Sequence, residues 1–215
     1  MLFYGILNIM IELQNIYYKL FETYGKQNWW PAKHDIEIMI GAVLVQNTNW
    51  SNVEKSLKLF KSFEGNEILN LKEEELKEKI RVSGSFNRKS KTVFSLLKWF
   101  KTYNFDTSLL KNYSTEILRN EILSIYGIGE ETCDCILLYV FDRPVFVVDS
   151  YLKRLLKKTG HPEMKSYSEI QNYIMKNLPN DVEIFKEYHA LIVKYGKIYL
   201  RRNIVERLKD PLNFI

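Results

Sequence analysis

Gly127-Ile128-Gly129 stands between two segments, residues 117–125 and 132–141, whose apolar side chains recur at helical spacing. Only Tyr126 to Gly129 is left for the turn, so this part of the chain has to fold as a helix, a tight hairpin and a second helix. Glycine takes positive φ without steric cost and carries no side chain. Two glycines separated by one apolar residue therefore let backbone N–H groups come close to an anion such as phosphate. The same amides open the second helix, where the macrodipole and the unpaired N–H groups favour negative charge. A tight turn without any ligand would use the same residues, so the rest of the sequence has to decide between the two.

Helical spacing also runs through residues 6–24, 36–45, 53–63, 93–99, 151–156, 170–175 and 184–198, and no stretch alternates with strand period. Helix starts are expected at Asp35, at Ser114, and at Ser166 with Glu169 three residues on, a capping-box pattern. Pro31, Gly84, Pro144, Gly160 and Pro162 fall between these segments, as helix punctuation should. The expected fold class is all-α, without internal repeats or a low-complexity linker.

A chain of 215 residues, 46% of them hydrophobic, can bury one core or two small ones. Lysine and arginine outnumber aspartate and glutamate 31 to 26, which favours an anionic partner without identifying it. Cys133 and Cys135 stand two apart on a helix, so their side chains diverge by roughly 200° and should not pair. They read as small buried thiols in a reducing compartment. His34, His161 and His189 have no metal-ligand spacing. The N-terminal apolar residues are interrupted by Glu12 and continue into an amphipathic pattern, so neither a signal peptide nor a membrane partner is expected and the protein reads as cytoplasmic.

The segment from Leu123 to Thr132, followed by Val147-Val148-Asp149 and preceded upstream by Gly41-Ala42-Val43-Leu44-Val45-Gln46-Asn47-Thr48, resembles the helix-hairpin-helix (HhH-GPD) DNA glycosylases, the superfamily of endonuclease III. The likeness runs from roughly residue 29 to residue 196. It implies two helical lobes with a cleft between them: residues 27–140 as a six-helix lobe ending in the hairpin, and residues 1–26 plus 141–215 as the second. It also implies double-stranded DNA containing damaged bases as the partner, and a monomer. Under this resemblance Asp149 is the active-site carboxylate, and Gly127, Ile128 and Gly129 contact a phosphate. Gln46 and Asn47 fill the gap left by an extruded nucleotide or contact its partner. The plain alternatives are a helix N-cap at Asp149 and a polar helix end at Gln46 and Asn47.

Breaking a base–sugar bond builds positive charge on the deoxyribose, which a carboxylate beside the anomeric carbon stabilises while it orients or activates water. Superfamily members that also cut the strand carry a lysine nucleophile two residues after the second hairpin glycine. Here that residue is Glu131, which cannot form a Schiff base, so the resemblance points to a monofunctional, hydrolytic glycosylase. Glu130 and Glu131 are also a departure, because two acidic residues beside a phosphate contact weaken it. Relatives with an iron–sulfur cluster place four cysteines after a segment like His189 to Gly196. Leu200 stands where the first would be and no cysteine follows, so no thiolate-held cluster, and no other cofactor, is expected.

Trp30, Pro31 and Trp50 are the candidate base-binding residues. An enzyme acting on a base takes it out of the stack, aromatic faces offset part of the unstacking, and two indoles could sandwich the base. A methylated purine such as 3-methyladenine carries positive charge and gains cation–π attraction there. Trp-Trp-Pro before the Gln46 segment, with no cluster cysteines, resembles most closely the 3-methyladenine DNA glycosylase III branch. The Arg81 to Lys91 loop matches that branch too, with Arg88 and Lys89 as candidate phosphate contacts and a solvated basic face as the alternative. Tyr151, Lys153 and Arg154 raise the same choice. Glycosylases for uracil, hypoxanthine or mismatched bases, a bifunctional lyase, and a noncatalytic DNA-binding module remain open as rivals.

Overall fold

The computed structural model describes residues 2–200 and 210–212, with side chains from Leu13 onward. Every regular element among them is helical, which is the all-α class: α1 Leu2–Tyr24, α2 Asp35–Leu44, α3 Trp50–Leu57, α4 Gly65–Leu69, α5 Glu73–Ile80, α6 Phe86–Lys101, α7 Thr115–Leu123, α8 Glu130–Tyr139, α9 Ser150–Lys158, α10 Tyr167–Asn177 and α11 Val182–Tyr199, with 3-10 turns at Arg81–Ser83 and Thr107–Leu110. None of these helices is long and apolar enough to cross a membrane. The described residues fall into two units, one made by those up to Trp29 together with those from Pro144 onward, the other by Trp30–Arg143.

In the first unit α1 buries Leu13, Ile16 and Leu20, which lie on one helical face. Each such side chain contributes about 1.5–3 kcal/mol of hydrophobic stabilisation. Their partner α11 presents Phe185, Tyr188, Leu191, Ile192 and Tyr195 at the same period, and Tyr188 donates its hydroxyl to the Leu13 carbonyl at 3.0 Å. α9 lies against α11 where Gly196 meets the ring of Tyr151. A Cβ at Gly196 would fall 2.2 Å from Tyr151 Cδ1, so glycine is what lets the two helices touch. The expected capping box opens α10: Glu169 N–H donates to Ser166 Oγ, and Ser166 N–H to Glu169 Oε2.

The second unit is built around α2, whose residues Ile38 to Leu44 are all buried, packed between α6 and α8. α3, α4, α5 and α7 cover the outside. The sequence periodicity misjudges this unit in several places. α3 starts at Trp50 and ends at Leu57; the apolar residues Phe60 and Phe63 beyond it stack on each other, centroids 5.7 Å apart, outside any helix. α6 begins at Phe86, ahead of the apolar run at Val93, because its first turn is polar. α5 shows no sequence period because it buries only Leu76 and Ile80 in an otherwise charged octapeptide. Helices at Asp35 and Ser114 start as expected, with His34 as the cap before Asp35 and Ser114 Oγ accepting from Ile117 N–H.

Candidate active site

The hairpin joins α7 to α8. Gly127 has φ +80°, and a Cβ there would lie 2.1 Å from Thr92 Oγ1, so both backbone conformation and space demand glycine. Gly129 is different: it N-caps α8 with φ −103°, offers no side-chain cap, and an added Cβ would meet nothing within 4 Å. Its surroundings are open on the side of the α8 N-terminus. Between them Ile128 is buried, and its N–H donates to the Ile125 carbonyl at 3.2 Å. Its side chain and N–H thus anchor the turn inward. The acidic departure is partly neutralised as well. Arg119 on α7 lies 3.5 Å from Glu130 and donates from Nε to Asp134 Oδ1 at 2.9 Å. Cys133 and Cys135 are free and buried, and burial pushes the Cys133 thiol up to about 12.

Gln46 braces this hairpin. Its Nε2 donates to the Gly127 carbonyl at 3.1 Å and to Thr132 Oγ1 at 2.9 Å, and its Oε1 lies 3.5 Å from Arg88 Nη2. Both amide protons are thus used inside the unit, which gives Gln46 a bracing role on the hairpin here. Asn47 is exposed and left-handed, φ +54°, which its short polar side chain tolerates. Arg88 is exposed. Lys89 is not: it is 1% exposed, with Nζ donating to the carbonyls of Leu44 at 2.9 Å and Ser83 at 2.6 Å. It ties the end of α2 to the 3-10 turn and reaches no phosphate, because burial removes its ammonium from the surface.

Trp30 lies on α2 at Gly41, where a Cβ would sit 2.9 Å from Trp30 Cζ2. Trp50 meets it edge to face, centroids 5.0 Å apart at 86°, and Tyr139 approaches at 5.5 Å and 64°. The two indoles touch, so a base cannot pass between them, and the sandwich expectation is replaced by an aromatic corner. Trp50 Nε1 donates to Glu54 Oε1 at 2.8 Å, which fixes its ring. Pro31 is exposed beside this corner in sequence. Trp29 belongs to the other unit, where Lys197 lies 5.9 Å over its ring.

Asp149 N-caps α9, with Oδ1 accepting from Leu152 N–H at 2.7 Å. It is 8% exposed, and Val145 to Val148 before it are all buried. Among the described residues that run has no strand neighbour, and side chains satisfy it: Val148 N–H donates to Tyr167 Oη, and Gln171 Nε2 to the Phe146 carbonyl. The other carboxylate oxygen, Oδ2, lies 4.0 Å from Nε2 of buried His189 on α11. Burial pushes His189 below its ordinary pKa, and the charge of Asp149 opposes that. The cap engages one oxygen only, so capping leaves Oδ2 available for a further partner. Sequence reasoning set His189 aside for want of ligand spacing; its partner is forty residues away and is brought in by packing of α9 on α11. Arg154 is exposed and donates to the Leu200 carbonyl at 3.1 Å, and Lys153 is solvated. No cluster of metal-ligating side chains occurs among the described residues.

The family model for HhH-GPD superfamily base excision DNA repair proteins matches residues 40–180, a stretch holding the Gln46 segment, the hairpin and Asp149. MJ1434 of Methanocaldococcus jannaschii, provisionally a DNA repair glycosylase, is 45% identical over 196 residues, covering 88% of this chain and 89% of its own. Endonuclease III of Rickettsia prowazekii is 30% identical over 83% of this chain and 84% of its own. Among solved structures, the H. pylori 3-methyladenine DNA glycosylase bound to 1,N6-ethenoadenine is similar with TM-score 0.71 and 27% identity, covering 89% of this chain and 97% of that one. An endonuclease III trapped as a covalent intermediate on DNA shares the fold with TM-score 0.76 at 20% identity, covering 91% of this chain and 89% of that one. The family model spans most of the chain and the relatives match it nearly end to end: the chain belongs to the HhH-GPD superfamily as a DNA glycosylase of base excision repair.

Proposed function

We propose that this glycosylase removes alkylated purines such as 3-methyladenine from double-stranded DNA by hydrolysis and leaves an abasic site, with Asp149 as the catalytic carboxylate. The observation that carries the substrate reading is the aromatic corner of Trp30, Trp50 and Tyr139 on Gly41. An extruded alkylated purine is electron-poor, and an indole face attracts it more than the neutral base. The charged base also departs readily, so the reaction needs no strong general acid and rests on stabilising the sugar cation, which is the work of a carboxylate. Similarity to the H. pylori 3-methyladenine glycosylase over nearly all of that chain supports the same substrate class. Glu131, exposed in the first turn of α8, favours water over an amine nucleophile.

Oligonucleotide duplexes carrying methylated purines, uracil, hypoxanthine or oxidised guanine, scored with and without alkali, test the reading. Methylated purine should be released fastest, with strand breaks only after alkali. Faster release of uracil or hypoxanthine defeats the substrate assignment, and breaks without alkali defeat the monofunctional one. Asp149→Asn keeps a capping residue, so it should fold and bind duplex while excision drops by about 10²–10³-fold or more.

A further inference from the structure

We propose that His189 is a positioning residue for Asp149, holding the second carboxylate oxygen from α11. The inference rests on the reading of Asp149 as the catalytic carboxylate and adds the group that keeps it aimed. The Leu152 N–H fixes only Oδ1. A carboxylate held at one oxygen still swings about its last torsion, and Oδ2 is the oxygen left for a reacting sugar. His189 Nε2 lies 4.0 Å from Oδ2, too close for an intervening water. A shift of about 1 Å in either group closes the gap to a hydrogen bond. Both residues belong to the same unit, on helices locked together where Gly196 meets Tyr151, so the distance is a property of that packing.

The charge state follows from burial. His189 is 6% exposed, and its surroundings disfavour the imidazolium. Brought within hydrogen-bond distance, a neutral ring would donate an N–H to the carboxylate while leaving its charge whole. A protonated ring would pair with Asp149 and cancel much of the field that stabilises the sugar cation. Of the neighbouring titratable groups, α9 supplies Asp149, whose charge reaches the ring. On α11 itself Glu187 accepts from Gln27 N–H at 2.7 Å. From α1, Tyr17 packs edge-on against Tyr188, and burial keeps its hydroxyl protonated. Excision should therefore fail on the acid side as His189 gains its proton.

Full-length His189→Leu, His189→Gln and Asp149→Asn variants test this in single-turnover excision of the lesion the wild type removes fastest, from about pH 5 to 8.5. Affinity for an uncleavable abasic-analogue duplex and thermal unfolding are measured alongside. His189→Leu should lower the excision rate at saturating DNA about 10-fold or more, leave duplex affinity within about 3-fold, and lack the wild-type acid limb. His189→Gln keeps an N–H donor that does not titrate, so it should recover most of the neutral rate and stay flat toward acid. A His189→Leu enzyme with wild-type rate and profile overturns the proposal, as does a His189→Gln enzyme that retains the acid limb. Should the leucine variant not fold, the glutamine profile alone decides. Excision surviving in Asp149→Asn sinks the underlying reading of Asp149 instead, whatever the His189 variants do.

Discussion

Gly127 faces the hydroxyl of Thr92 so closely that a methyl group on its Cα would lie 2.1 Å from Thr92 Oγ1, which docks the hairpin on α6. Two separate costs follow for Gly127→Ala: about 1–2 kcal/mol for a side chain at φ +80° and about 1–3 kcal/mol for the clash. Combining it with Thr92→Ala should remove the clash and leave the backbone cost, a coupling that a double-mutant cycle in urea reads directly. Gly129→Ala is the contrast, since φ −103° and open space accept a methyl group. Its stability should stay within about 0.5 kcal/mol of wild type. Its affinity for duplex should nevertheless fall, because the methyl group stands where a phosphate would approach the α8 amides. Wild-type affinity in Gly129→Ala would remove the hairpin from the DNA contact.

Gly41→Ala probes the aromatic corner through opposing effects. Alanine in place of glycine inside α2 gains about 1 kcal/mol of helix propensity. Its Cβ would press on Trp30 Cζ2 at 2.9 Å, and the ring edge has to move. Stability should change by less than about 1 kcal/mol while Trp30 leaves its contact with Trp50. Release of alkylated purine should then fall more than release of any neutral base. Equal loss across the lesion panel would mean that the corner does not select the base.

How much of this was legible in the sequence depends on the range of the interaction. Capping by Ser114, Ser166 and Asp149, the Gly127 turn and the apolar stripes are local, with signal and partner a few residues apart. α4 and α5 bury too few side chains to show a period. At the candidate site the residue types were readable and their partners were not. Lys89 looked like its exposed neighbour Arg88, yet α6 turns it inward to carbonyls at Leu44 and Ser83. Gln46 finds Thr132 eighty-six residues away, and His189 reaches Asp149 only once α9 packs on α11. Trp30 and Trp50 meet edge to face against Gly41 and Tyr139, an angle that sequence spacing does not encode.

Lys89→Met keeps most of the buried stem and deletes both hydrogen bonds, leaving the Leu44 and Ser83 carbonyls short of a donor. A loss of about 1–3 kcal/mol is expected by urea titration. The effect depends on pH with a definite sign. Burial, with Arg88 adding repulsion, brings Lys89 down from 10.5 to about 8. Between those values the unfolded chain binds more protons than the folded one, so folding is progressively favoured as pH rises. The desolvation cost of the charged form is complete below about pH 8 and fades toward 10.5. Wild type should therefore gain stability relative to Lys89→Met across that window. A constant difference between the two would show that the ammonium keeps its ordinary affinity for protons.

Arg119 holds two acidic residues of α8 for different purposes, and substitution separates them. Asp134 is fully buried, and its bond from Arg119 Nε ties α7 to α8. Glu130 is exposed, so its 3.5 Å pair adds little stability but offsets a negative charge beside the hairpin. Arg119→Met strands a buried carboxylate without its cation and should cost about 3 kcal/mol. Adding Asp134→Leu removes that carboxylate, and most of the stability should return. DNA affinity should not return with it, since Glu130 still lacks a counter-charge near the approaching phosphate. Titrating duplex into the double variant at two salt concentrations reads this: binding weaker than wild type at low salt, with the gap narrowing as salt screens Glu130. Full recovery of affinity along with stability would mean that Arg119 serves the fold alone.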